Sequence, residues 1–170
     1  MNKFILLILA TFFVVTCFAY YNLESKHNRL YHIYLEKTAP PIFQTRANMV
    51  LHTSPIMDLH AAILQHDYDK SLALCNLLLD NPQFQASKEN ILLLSAYTLL
   101  QKKEVHSAQD FLFKKGSMAL DKEQSGAAAW LLALSYLHSN NIEKCKEYLS
   151  LTQHNASLYS HLAIELQALI

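Results

Sequence analysis

From residue 55 to the end of the chain, apolar residues recur at three- and four-residue steps between short polar clusters. This spacing predicts helices over 55–65, 69–79, 87–100, 104–114, 122–138 and 142–152. A last helix is expected over 155–170, with Leu158, Leu162, Leu166 and Leu169 on its apolar face. The clearest unit is Ala128–Leu149, AAWLLALSYLHSNNIEKCKEYL, two helices joined through Ser139-Asn140-Asn141. Small residues at Ala133 and Cys145 allow the helices a close approach, and Tyr136 and Leu149 fill the space between them. Asp121 suits a helix N-cap, Gly116 a helix stop, and Thr53-Ser54-Pro55 a cap with proline in the first turn.

The pattern repeats. Ala133, Ala96 and Leu59 are 37 residues apart (133 − 96 and 96 − 59), as are Cys145, Ala108 and Ser71. Leu149, Leu112 and Cys75 keep the same interval, as do Tyr136, Leu99 and Ala62, and Ile142, Val105 and Tyr68. Asn81-Pro82 closes the first unit, and Asp58 departs from the pattern in a first-helix slot that holds Leu132 in the third unit. Leu132-Ala133-x-x-Tyr136 followed by Cys145-x-x-x-Leu149 resembles the tetratricopeptide pattern W-x2-L-G-x2-Y…A-x3-F, with Ala129 at the Trp place and Ala133 at the Gly place. The resemblance covers residues 55–170. It implies an all-α fold, an α-solenoid of about three helix pairs closed by a C-terminal capping helix.

The resemblance also implies a concave groove lined by the first helix of each pair. In the same register, the protein-binding positions are His60, Ile63 and Leu64, then Asn90, Leu93, Tyr97 and Gln101, then Trp130, Leu134 and His138. This set carries no Lys or Arg. It therefore lacks the carboxylate clamp of the chaperone-binding branch and suits an apolar or amphipathic helix or an extended peptide; the alternative is that the last helix or the 22–37 segment buries some of these side chains.

Ahead of the repeats, Met1-Asn2-Lys3 precedes an uncharged run of 18 residues, Phe4–Tyr21. That length crosses a hydrocarbon core of about 30 Å, so residues 1–21 read as a transmembrane anchor with Tyr20 and Tyr21 at the interface. A cleaved signal sequence and a lipid-modified Cys17 are the alternatives. Residues 22–54 form a juxtamembrane helix, with Leu23, Leu30, Tyr31 and Tyr34 near one face, and a linker opened by Thr38-Ala39-Pro40-Pro41. The face is expected to pack on the first repeat, the other reading being a partner-helix or membrane-surface contact. Counting Lys26, Arg29 and Lys37 against Lys3 favours a cytoplasmic repeat domain, whereas the export-like start favours a periplasmic one. The reading adopted is a single-pass inner-membrane protein with periplasmic repeats.

With 2 Gly and 4 Pro, the chain favours long helices and cannot build the glycine-rich loops of nucleotide-binding or nucleophile-elbow enzymes. Equal numbers of basic and acidic residues, 14 each, argue against nucleic acid as a ligand. Cys17, Cys75 and Cys145 form no C-x-x-C pair. Nine histidines never fall as paired ligands on one helical face, so no metal and no cofactor is expected. The expected function is that of a membrane-anchored adaptor, not an enzyme, binding a membrane-associated protein partner as an accessory subunit of a bacterial complex. The alternatives are a periplasmic or secretion chaperone for client peptides and, least favoured, a small metalloenzyme.

Overall fold

A computed structural model of the chain describes residues 2–41, 54–115, 122–155 and 157–170. Within these, the side chains of 2–10, 18–21, 23–25, 54, 86, 114, 115, 122 and 123 are not described. The described residues are helical, with no strand. The elements are α1 (Asn2–Lys37), α2 (Ser54–Leu64), α3 (Tyr68–Leu79), a 3-10 turn (Pro82–Ser87), α4 (Lys88–Gln101), α5 (Val105–Lys115), α6 (Lys122–His138), α7 (Ile142–His154) and α8 (Ser160–Gln167). The expected stop at Gly116, the caps at Asp121 and Thr53 and the linker from 42 to 53 lie outside the described residues.

Backbone geometry at the turns carries the 37-residue period. Among the described residues, His66, Lys103 and Asn140 are the non-glycine residues with positive φ, at 58°, 63° and 55°. Each sits in the same pair of hydrogen bonds. His66 N–H donates to the Ile63 carbonyl and Asp67 N–H to Ala62; Lys103 and Glu104 donate to Leu100 and Leu99; Asn140 and Asn141 donate to Leu137 and Tyr136. This is the Schellman closure, in which one left-handed residue lets the chain reverse while satisfying two orphan carbonyls. The residue after it then starts the next helix. Asp67 Oδ1 accepts from Lys70 N–H at 3.1 Å, and Asn141 Oδ1 accepts from Lys144 N–H at 3.2 Å.

The side chains predicted to hold the pairs together are buried in all three units. Leu59, Ala96 and Ala133 are inaccessible on the first helices, and Ser71, Ala108 and Cys145 on the second. Asp58 is exposed, and the neighbouring Leu59 supplies the first unit's core contact. Cys75 and Cys145 are free, buried thiols, which burial pushes up to about 11 and about 12, so neither ionises near neutrality.

Two helices are apolar all round, and both are interior. Residues 90–100 of α4 are buried without interruption, and so are 126–137 of α6 apart from the partly exposed Ala128. α6 packs against α1, α4, α5 and α7. The hydroxyls this buries are returned to their own helix. Ser95 Oγ donates to the Ile91 carbonyl at 2.8 Å, Thr98 Oγ1 to Leu94 at 2.8 Å and Ser135 Oγ to Leu132 at 2.7 Å. Gly126 opens the buried run, and it must be small: a Cβ there would stand 2.5 Å from Ser157 Cβ, in the turn that leads to α8.

One boundary differs from the sequence reading. Residues 157–159 form a turn, so the last helix starts at Ser160. Ser157 Oγ accepts from Tyr159 N–H at 3.2 Å, and Ser160 Oγ donates to the Ser157 carbonyl at 2.7 Å. The rotated register buries Tyr159, Leu162, Ala163 and Leu166 and leaves Leu158 and Leu169 exposed. At the other end, residues 22–37 continue the helix that starts at Asn2, and α1 runs without a break to Lys37.

Candidate functional site

The second half of α1 packs on α6, the first helix of the third pair, and on α8. His27, Leu30, Tyr31, Tyr34, Leu35 and Thr38 are all buried. Their three- and four-residue spacing puts them on one stripe, against α6 and α8. Each buried leucine contributes about 1.5–3 kcal/mol, so this packing is part of the core.

Polar contacts fix the register along this contact. His27 Nδ1 meets Asn140 Oδ1 at 2.5 Å, in the turn between α6 and α7. Tyr31 Oη donates to the Leu100 carbonyl at 2.8 Å, at the end of α4. Trp130 Nε1 donates to Thr38 Oγ1 at 2.9 Å, and Thr38 Oγ1 in turn donates to the Tyr34 carbonyl at 2.6 Å. Tyr159 Oη donates to the Ala39 carbonyl at 2.7 Å. Beyond it Pro40 closes a small apolar pocket with His60, Ile63, Leu64 and Leu94. A mostly exposed Lys37–Glu165 ion pair at 3.0 Å orients the outer side of this contact and adds little stability.

The rings along this contact form two groups. Tyr31 is edge-on to His138 at 4.7 Å between centroids, and Tyr34 is edge-on to Trp130 at 6.2 Å. Trp130 then stacks on Tyr159 at 5.9 Å. Burial raises the Tyr31 and Tyr159 phenols well above their ordinary value.

The groove positions inferred from sequence divide accordingly. Trp130 and Leu134 are fully buried, and Ile63, Leu93, Asn90 and Tyr97 nearly so. Tyr97 Oη accepts from Gln101 Nε2 at 2.9 Å, and Asn90 Oδ1 accepts from Gln124 Nε2 at 3.0 Å. His60, Gln101 and His138 are partly exposed, and Leu64 is exposed at 69%. Of these positions, Trp130 and His138 touch α1 or Thr38 just after it, and His60, Ile63 and Leu64 share a pocket with Pro40. The sequence named the 22–37 segment as one candidate cover but did not single out Tyr31 and Thr38, which make the contacts. The stripe of Leu30, Tyr31 and Tyr34 was the available signal.

Two groove histidines meet this strap. Burial holds His60 below the ordinary imidazole value beside Pro40. His138 is held down by burial first, then by His32 on α1 and by His106 and Lys103 at the start of α5. His138 lies in the last turn of α6, where the helix dipole favours a proton; burial outweighs it here. The sign follows from linkage. A histidine whose folded value is depressed binds protons more readily when undocked, so docking is strongest above about 6.5 and weakens as pH falls through that value. Fluorescence of Trp130, the single tryptophan, reads this directly. It is expected to shift to the red, with a lower melting temperature, between about pH 7.5 and 5.5. Replacing His138 with Gln should flatten that dependence. A melting temperature constant across the interval would count against the assignment.

Among the described residues, no group of three or more His, Cys, Asp or Glu could hold a metal ion. Also among the described residues, no helix is long and apolar enough to cross a membrane. The run Phe4–Tyr21 lies for the most part on side chains outside that description. Comparison with known protein families, curated proteins and solved structures finds no match.

Proposed function

We propose that this chain is a membrane-anchored adaptor, a tetratricopeptide-like repeat domain fixed at a bilayer surface and offering its outer face to a protein partner. The observation that carries the reading is the continuity of α1. One unbroken helix joins the apolar run of residues 4–21 to the buried stripe from His27 to Leu35. At 1.5 Å per residue the apolar run is about 27 Å long, matched to the hydrocarbon core. An anchor built into the core holds the domain at a fixed orientation, which suits an accessory subunit of a membrane complex. Membership of the tetratricopeptide class is supported by the helix pairs closing on the same turn every 37 residues. The burial of most of the inferred groove positions speaks against a chaperone that takes client peptides there.

The reading places the repeats in the periplasm of a bacterium, anchored in the inner membrane. The free thiols weigh the other way, toward a reducing compartment. A partner would meet the C-terminal edge where Leu158 and Ile164 are exposed.

Intact mass and alkaline carbonate extraction test the anchor. The expected result is a chain that retains residues 4–21 and stays in the membrane pellet. A mass lacking the first 16 or 19 residues would overturn it. For the adaptor role, Ile164→Glu is expected to release a partner that copurifies in mild detergent without changing the melting temperature, because Ile164 is 60% exposed. A partner retained at full yield by this variant would place the contact elsewhere.

A further inference from the structure

We infer that the edge of the repeat domain formed by the α4–α5 and α6–α7 turns, together with Leu169 and Ile170, rests among lipid headgroups. This rests on the anchor proposed above and adds which surface of the domain meets the bilayer.

The helices of the groove run antiparallel to α1. Moving away from the apolar run, Lys26 Nζ donates to the Leu169 carbonyl at 2.9 Å and His27 reaches Asn140. Tyr31 follows at Leu100 and His138, then Tyr34 and Lys37 at Glu165, then Thr38 at Trp130. The C-terminal ends of α4, α6 and α8 therefore all point back toward the bilayer end of α1. Lys26 is five residues past Tyr21, about 7.5 Å along the helix. The headgroup layer is about 5–8 Å thick on each side of the core. The groups that touch Lys26 and His27 lie at that depth, within reach of phosphates and glycerol oxygens.

The chemistry of this edge fits such a layer. Lys26, Lys103 and His106 are exposed there. The acids nearby, Asp69 and Glu104, are both tied to Lys102, at 2.8 and 2.9 Å. Leu169 is 47% exposed at the same end, beside the partly exposed Ile170. Basic side chains around an apolar residue suit a headgroup contact, the cations pairing with phosphate while the leucine reaches toward the acyl boundary.

The test uses the full chain in vesicles of phosphatidylcholine and phosphatidylglycerol that carry a headgroup-linked quencher. Single fluorophores are placed by Lys103→Cys, Leu169→Cys and His154→Cys in a Cys17→Ser background. His154 ends α7, at the far side of the domain from Asn140, and the buried Cys75 and Cys145 do not react. Quenching is expected to be several-fold stronger at 103 and 169 than at 154. Equal quenching at all three positions in vesicle-bound protein would overturn this inference and leave the anchor standing. A chain that carbonate washes from the vesicles would overturn both.

Discussion

Trp130→Ala is expected to destabilise the domain by about 3–5 kcal/mol, the usual cost of truncating a fully buried tryptophan. Its side chain is inaccessible to solvent and joins three elements. The indole lies between Tyr34 on α1 and Tyr159 ahead of α8, and its N–H is held by Thr38. Aromatic pairs of this kind add about 0.5–1.5 kcal/mol beyond their burial, so both neighbours lose support as well. A second variant separates packing from hydrogen bonding. Thr38→Val keeps the volume and leaves the buried indole N–H unpaired, which costs about 1–3 kcal/mol. Urea unfolding monitored by far-ultraviolet circular dichroism measures both. A Trp130→Ala midpoint close to that of the unmodified chain would mean that the rings of Tyr34, Trp130 and Tyr159 do not hold the strap.

Trp130 also shows where sequence reading stops. Its position on the first helix of the third pair was legible, because helical spacing and the 37-residue interval together fix which face it occupies. What covers that face was not. A groove-facing aromatic and a core aromatic have the same spacing, and only the path of the 22–41 segment distinguishes them. The stripe of Leu30, Tyr31 and Tyr34 states that α1 buries one side; it does not name the surface that receives it. An open surface and one covered by the last helix or by residues 22–37 were therefore both compatible with the sequence, and most of these side chains are buried.

The helix pairs themselves were legible for a physical reason. Close contact between two helices demands small residues at fixed places, and the interval between Ala96 and Ala133, or between Ala108 and Cys145, records that demand. The turns were harder. Of the three left-handed positions, only Asn140 is a residue that favours the conformation, while His66 and Lys103 adopt it because the hydrogen-bonded closure repays its cost. The last helix was misjudged for a similar reason. Leu158 and Leu169 continue an apolar spacing, but the serine bonds at Ser157 and Ser160 turn the chain and rotate the face.

The repeat register makes its own sharp demand. Ala133→Leu and Ala108→Leu should each lower stability by about 1–3 kcal/mol, because both sites are closed and extra methylenes force side chains or backbone to move. Ala133 is expected to be the worse of the two. It lies on α6, which is hemmed in by α1, α4, α5 and α7, whereas α5 packs against α4 and α6 with one side open to solvent. A helix clamped from several sides has fewer directions in which to relax, so a larger share of the added volume remains as strain. Ser107→Leu is the control, one residue further round α5 and exposed. It should change the unfolding midpoint far less. An Ala133→Leu variant that melts with Ser107→Leu would show that the small residues do not set the distance between the helices, and that the 37-residue interval marks only the turns.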